Sequence, residues 1–248
     1  MWLILNLIDR KINMTVLKKE NILLLIHGDA LVDSSNYNRT IKNSGVSIES
    51  TEKHFSQHNC LKYNGGAKSF YVSNLINGTM DYTIDFWYKA TSNKDAMVFF
   101  SHGGSNNASG GVYSITNTYS HWWATGFRIK YFMSTSDSWK HFACVRKSGV
   151  TTMYINGSKV GSSTYNPSFS NSVERFGWND SYSGEYYEGY IQELRVCDVA
   201  VWDTNFNPPT DPYITSDLKT GNITLNPVYI GGGQIAKMYI GNTKIYES

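Results

Sequence analysis

The sequence predicts an all-β chain, a two-sheet antiparallel β-sandwich followed by a small C-terminal β-hairpin element. Three observations carry that prediction. The first is the segment Thr152-Met153-Tyr154-Ile155-Asn156-Gly157-Ser158-Lys159-Val160, where Asn156-Gly157 separates two alternating apolar runs. Asn-Gly adopts the pair of positive φ angles that a two-residue type I′ hairpin turn requires. The second is composition: 15% aromatic residues, with 18 Tyr, 7 Trp and 21 Gly among 248 residues, suits strands and the turns between them. The third is that no segment sustains an apolar period of about 3.6 residues; one helical turn around Val199–Asp203 is the most the pattern allows.

The elements follow in order. Met1–Ile8 is apolar, but Asp9-Arg10-Lys11 comes at once. Lacking a positive leading region, a long apolar stretch and a small-residue cleavage site, it makes a poor signal peptide. Two readings of residues 1–20 stay open: an arm that docks on this domain or a partner, or a lead-in with translation starting at Met14. Strands are expected at Ile22–Ile26, Cys60–Tyr63, Ser69–Val72, Tyr82–Ala90, Met97–Ser101 and Val112–Ile115. They continue at Phe127–Tyr131, His141–Arg146, Thr152–Ile155, Lys159–Gly161, Arg175–Gly177 and Tyr190–Val196. Clusters such as Gly103-Gly104-Ser105-Asn106-Asn107 supply the turns. Alternation puts Ala143 and Val145 on one face, and Phe142, Cys144 and Arg146 on the other. Trp87, Trp139, Val145, Leu194 and Val196 are expected in the core of a sandwich spanning 21–213. Beyond Pro212, Gly241-Asn242 lies between Met238-Tyr239-Ile240 and Lys244-Ile245-Tyr246, a second two-residue hairpin. A hairpin this small is not stable alone, so residues 214–248 are expected to pack on the sandwich or, the favoured reading, on another subunit.

Charge narrows the function classes. Only 17% of residues are charged and the net charge is +2, which gives no argument for nucleic acid or an anionic membrane as partner. No apolar run approaches the length of a spanning helix, so membrane insertion is not expected. Cys60, Cys144 and Cys197 are odd in number and irregularly spaced, describing neither a disulfide framework nor a metal cluster; they are expected as small apolar strand residues.

Several blocks occur in a telling order: Leu23-Leu24-Leu25-Ile26-His27-Gly28-Asp29, Tyr82-Thr83-Ile84-Asp85-Phe86-Trp87-Tyr88, Trp139-Lys140-His141-Phe142-Ala143-Cys144-Val145-Arg146, Tyr154-Ile155-Asn156-Gly157, Glu188–Val196 and Asn205-Phe206-Asn207-Pro208-Pro209. This ordered set resembles the laminin-G-like, concanavalin A-type jelly-roll domains, in the versions found in bacteriophage tail and other virion proteins. The departures are Gln192, where the family's "IDELR" block has Asp, and Ala143-Cys144-Val145-Arg146, where it has "AVVR". The resemblance implies a non-catalytic virion module, a tail or fibre-like component assembled in the host cytoplasm. Its partners would be other virion proteins or further copies of itself as a homo-oligomer, and a glycan of the host cell surface. An alternative is a carbohydrate-binding module of a bacterial surface or secreted protein. A glycan hydrolase is the third reading.

Sites can be weighed residue by residue. A hydrolase of this fold carries paired carboxylates in a Glu-x-Asp-x-x-Glu strand motif, which the sequence lacks, as it lacks G-x-S-x-G and H-E-x-x-H. No enzyme is therefore expected. Ligand binding rests on aromatics, because the apolar face of a sugar ring stacks on an indole or phenol. Trp122 and Trp123 lie in a segment between two expected strands, and Trp178, Asn179 and Tyr182 in a second aromatic-polar loop; these five are the candidate ligand residues. Many relatives hold Ca2+, and the resemblance makes Asp29, Asp33 and Gln192 the candidate metal ligands. Gln192 removes a charge from that set, and Asp33-Ser34-Ser35 is equally a turn in which Asp33 caps backbone N–H groups.

Overall fold

A computed structural model describes residues 17, 19–92, 97–102, 111–115, 119–123, 127–132, 138–169, 173–178, 185–213, 237–240 and 243–247. After a short 3-10 turn at Lys19–Asn21 the described chain is strand and loop. The strands are β1 (Ile22–Ile26), β2 (Lys42–Ser44), β3 (Ser47–Glu49), β4 (Cys60–Asn64), β5 (Ser69–Ser73), β6 (Tyr82–Ala90), β7 (Met97–His102), β8 (Gly111–Ile115) and β9 (Tyr119–Trp123). They continue as β10 (Phe127–Phe132), β11 (Lys140–Lys147), β12 (Val150–Ile155), β13 (Ser158–Ser163), β14 (Val173–Phe176), β15 (Glu188–Cys197), β16 (Lys237–Ile240) and β17 (Thr243–Glu247). One antiparallel sheet runs β13-β12-β11-β6-β15-β4-β3, with β1 also on β15; the other runs β10-β9-β8-β7-β14-β5-β2.

The apolar core lies between the two sheets. Strand β6 contributes Tyr82, Ile84, Phe86, Tyr88 and Ala90 to it, and β11 contributes Phe142 and Cys144. Phe70, Phe100 and Phe176 face them from the second sheet. Alternation sends Ala143 and Val145 to the opposite side of β11, where they form a small cluster with Tyr154, Trp202 and Phe206. The Asn156-Gly157 turn takes φ of 49° and 73° as expected. A Cβ on Gly157 would lie 1.8 Å from the Phe206 carbonyl oxygen, so this turn is also where the 198–213 segment presses on the sheet.

A bulge in β15 organises much else. Register shifts between Gln192 and Arg195, and Glu193 takes a φ of 54°. The extra residue reverses the alternation, so that Ile191, Leu194 and Val196 all reach the core while Gln192 and Arg195 lie on the outer side of the sheet. Strands β1 and β4 then share one edge of β15, on either side of the bulge.

Three expectations are corrected. Trp139 is half-buried and outside the core; its Nε1–H donates to Glu52 Oε1 at 3.1 Å. Trp87 is buried as expected, on the outer side of β6 and stacked on His54. Val199–Asp203 forms bends and coil: the Thr83 hydroxyl donates to the Val199 carbonyl, the acceptor that a helical turn would offer to the Asp203 N–H, and accepts the Val201 N–H. Residues 119–123, read as lying between strands, form β9. Cys60, Cys144 and Cys197 are buried free thiols, and burial pushes the Cys60 and Cys197 thiols up to about 12.

The chain divides into two compact units, residues 1–215 and 216–248. In the second, β16 pairs antiparallel with β17, Ile240 opposite Thr243.

Candidate functional site

The outer side of the first sheet is roofed by the protein's own chain. Segment 50–59 covers Trp87, and Phe55 packs edge-on to that indole at 5.9 Å between ring centroids. Segment 198–213 covers the other half, with Trp202 and Phe206 stacked at 3.9 Å over Tyr154 and His141. Beneath it Arg195 grips Asp85 with two bonds of 3.0 and 3.2 Å, the Tyr213 hydroxyl donates to the same carboxylate, and His141 Nε2 lies 3.3 Å away. Burial would raise the Asp85 carboxyl, but the Arg195 guanidinium and His141 hold it below its ordinary value. His141 and Asp85 are both fully buried, so this His–Asp pair is sealed from any substrate.

The second sheet presents a different surface. Strand pairing sets Lys42 opposite Tyr71, and Tyr71 opposite Arg175. The Lys42 ammonium lies 5.6 Å from the Tyr71 ring centroid, and the Arg175 guanidinium lies 4.9 Å from Tyr71 and 5.2 Å from Trp178. Gly177, at φ 101°, lets the chain turn past Tyr63 and carry Trp178 alongside; a Cβ there would stand 2.4 Å from the Tyr63 ring. Lys42 is exposed, and Tyr71, Arg175 and Trp178 are half-exposed. The result is a row of alternating cations and aromatic rings, each contact worth about 0.5–1 kcal/mol at such sites.

The candidate ligand residues can be set against that row where the structure describes them. Trp178 is part of it. The β9 backbone puts Trp122 opposite Tyr113 and Trp123 opposite Val112, two strands beyond β7 in the same sheet; their side chains lie outside the described residues, as do Asn179 and Tyr182. Tyr71, Arg175 and Lys42 were not singled out by sequence reasoning.

The candidate calcium ligands are committed to the chain itself. Asp33 is buried, and its carboxylate accepts from the backbone N–H groups of Leu25, Ser35 and Arg39 and from the Ser35 hydroxyl, at 2.8–3.0 Å. Gln192 Oε1 accepts the N–H groups of His54 and Phe55, while Nε2 faces the carbonyls of Phe55, His58 and Asn59 at 3.0, 2.8 and 3.1 Å. Asp29 accepts from Asn59 N–H and lies 2.5 Å from His58 Nδ1. A hard cation needs six or more oxygens turned towards one point. The carbonyls that converge here already meet a positive amide edge, so these three residues do not fit a calcium ion.

Comparison with known proteins places this architecture. Residues 64–204 match the family described as the concanavalin A-like lectin/glucanases superfamily. The chain belongs to that superfamily. No curated protein sequence matches it. Among solved structures, this concanavalin A-like chain is similar to domain 4 of AbnA, a GH43 extracellular arabinanase from Geobacillus stearothermophilus, in complex with arabinotriose. That match has a TM-score of 0.57 at 19% identity over 73% of this chain and 93% of the domain. It is also similar to the binding domain of botulinum neurotoxin serotype D (TM-score 0.57, 16% identity, 74% of this chain and 49% of that one). The binding domain of botulinum neurotoxin DC in complex with SialylT matches at TM-score 0.55 and 15% identity, over 75% of this chain and 49% of that one. The concanavalin A-like chain thus spans about half the length of the neurotoxin domains it matches.

Within the superfamily's two-sheet plan, the signal for the cation–aromatic row was present but scattered. Lys42, Tyr71, Arg175 and Trp178 sit in three separate stretches of sequence and meet only through the β2–β5–β14 pairing.

Proposed function

We propose that this chain is a non-catalytic glycan-binding and assembly module of a phage virion, a tail or fibre-like component. Its ligand would lie along the row Lys42, Tyr71, Arg175 and Trp178. The observation that carries this reading is the row itself: two half-exposed aromatic rings bordered by two cations on the outer side of one sheet. Aromatic rings stack on sugar faces, and the adjoining cations suit a glycan bearing carboxylate or phosphate groups. Segments 50–59 and 198–213 occupy the other sheet's outer side, and among the described residues none is seen to roof this one, which supports it as the ligand face. A non-catalytic role is supported by the sealing of the Asp85–His141 pair.

A second reading, an appended carbohydrate-binding module of a secreted or surface bacterial protein, is favoured by the likeness to an arabinanase domain over 93% of that domain's length. The two differ in what surrounds the module, not in the binding face. Screening the full chain on an array of neutral and acidic bacterial glycans tests the shared part. Binding is expected to fall at least about tenfold in Trp178→Ala and Tyr71→Ala, a loss of roughly 1.4 kcal/mol. Undiminished binding in both variants removes this face. Peptides of this chain in purified particles, by mass spectrometry, decide for the virion reading.

A further inference from the structure

The end of β1, the loop before β4 and the β15 bulge bring together a cluster that the glycan reading does not use. Gly28, at φ 122°, has no room for a side chain: a Cβ would stand 2.3 Å from the Asn59 carbonyl oxygen. That close approach puts His27 and Asp29 beside His58, whose imidazole stacks on that of His27 at 4.5 Å with 15° between planes. Glu193, lifted by the bulge, is fully buried and holds both carboxylate oxygens 2.9 Å from His27 Nδ1. Its backbone N–H donates to the His27 carbonyl at 3.2 Å, and Tyr213 N–H donates to its Oε2 at 2.8 Å.

We propose that His27, His58 and Glu193 bind a divalent transition-metal ion, with Zn2+ as the reference ligand. The three side chains each offer one donor atom within 4.8 Å of the others. Nitrogen and oxygen donors on tetrahedral zinc sit at bond lengths of about 2.0–2.1 Å, hence roughly 3.3 Å apart. The His27–Glu193 pair is already near that spacing, and a small rotation of the half-exposed His58 closes the third side. Two imidazoles with one carboxylate select zinc, nickel, cobalt or copper over calcium or magnesium, which prefer all-oxygen shells. The surrounding contacts are those a metal site needs. Asp29 engages Nδ1 of His58, about which the ring can pivot, and leaves Nε2 as the donor, the carboxylate–histidine arrangement that orients metal ligands. The half-exposed imidazoles leave a coordination position open to water on the surface. Bound there, the metal ties the end of β1, the 50–59 segment and the bulge into one unit.

The experiment titrates ZnCl2 into the metal-stripped full chain by calorimetry and thermal melting. One zinc per chain is expected, with a rise in melting temperature of about 5–10 °C at zinc a hundredfold above Kd. His58→Gln is expected to lose that shift, His54→Gln to retain it, and CaCl2 to produce none. The absence of a zinc-dependent shift in the native chain, or a shift undiminished in His58→Gln, overturns the proposal. Should His58→Gln fail to fold by circular dichroism, the Co2+ complex of the native chain decides instead. Visible d–d bands of tetrahedral intensity support the site, and octahedral aquo-type absorption overturns it.

Discussion

Gln192 illustrates how one side chain can stand where a charged group would otherwise be needed. Its amide accepts two backbone N–H groups through Oε1 and donates towards three carbonyls through Nε2. Donors face the oxygen and acceptors face the nitrogen, so only one orientation of the amide satisfies the loop. Gln192→Ala would strand those buried groups. We expect it to lower stability by about 2–4 kcal/mol in urea unfolding, with proteolysis opening first within 50–59. A loss below about 0.5 kcal/mol would mean that the loop is held elsewhere. The sequence marked Gln192 as a departure from a familiar block and as a candidate calcium ligand, and not as the anchor of a loop, since its partners lie 133–138 positions away. Trp178 was legible as an aromatic among polar neighbours, whereas Tyr71 and Arg175 were not, because each looks like an ordinary strand residue until the sheet is paired.

At the scale of elements, long strands were legible and short edges were not. Tyr82–Ala90 is readable because alternate residues are large and apolar on one face. Strands β2 (Lys-Asn-Ser) and β3 (Ser-Ile-Glu) carry no such alternation; they are exposed edges that exist because a neighbour offers hydrogen bonds. The β15 bulge was likewise invisible, as an added residue in a strand changes the register and not the composition. The 50–59 segment carries a pH dependence of its own. Burial against Trp87, and then the positive field of His141, push His54 down from 6.5 to about 4. A base with a lowered folded pKa is protonated more readily in the unfolded chain. Its contribution is therefore complete above pH 6.5 and is lost as pH falls towards 4. Allowing for its exposure, that contribution is about 1 kcal/mol, or roughly 2–4 °C. Melting curves of the native chain and His54→Gln should converge as pH falls through this window; parallel curves would assign the dependence to other groups.

At the scale of the molecule, the two-sheet architecture and the terminal hairpin were both legible, since each rests on local turn chemistry and alternation. The roofing of one sheet by 50–59 and 198–213 was not, because those loops lack periodicity and are placed by contacts remote in sequence. The two compact units suggest a clean cut. Deleting 216–248, which leaves Tyr213 in place, is expected to shift the sandwich's melting temperature by no more than about 2 °C, the scale of a change without core loss. If the hairpin is an assembly element, as we propose, light scattering should find the full chain as a homo-oligomer and the truncated chain as a monomer. Unfolding of the truncated chain would assign the hairpin to the core.

The place of Tyr213 has a mechanical meaning. Its hydroxyl is tied to Asp85 and its ring lies 3.8 Å beneath the Arg195 guanidinium, so the last described residue before the tail is fastened to β6 and β15, in the interior of the sheet. A load applied through the tail therefore enters at the middle of the sheet, on strands flanked by neighbours on both sides, and not at a frayed margin that could be unzipped one bond at a time. A domain hung by its C-terminus from a larger body would in this way resist being peeled apart when its opposite surface is held fast.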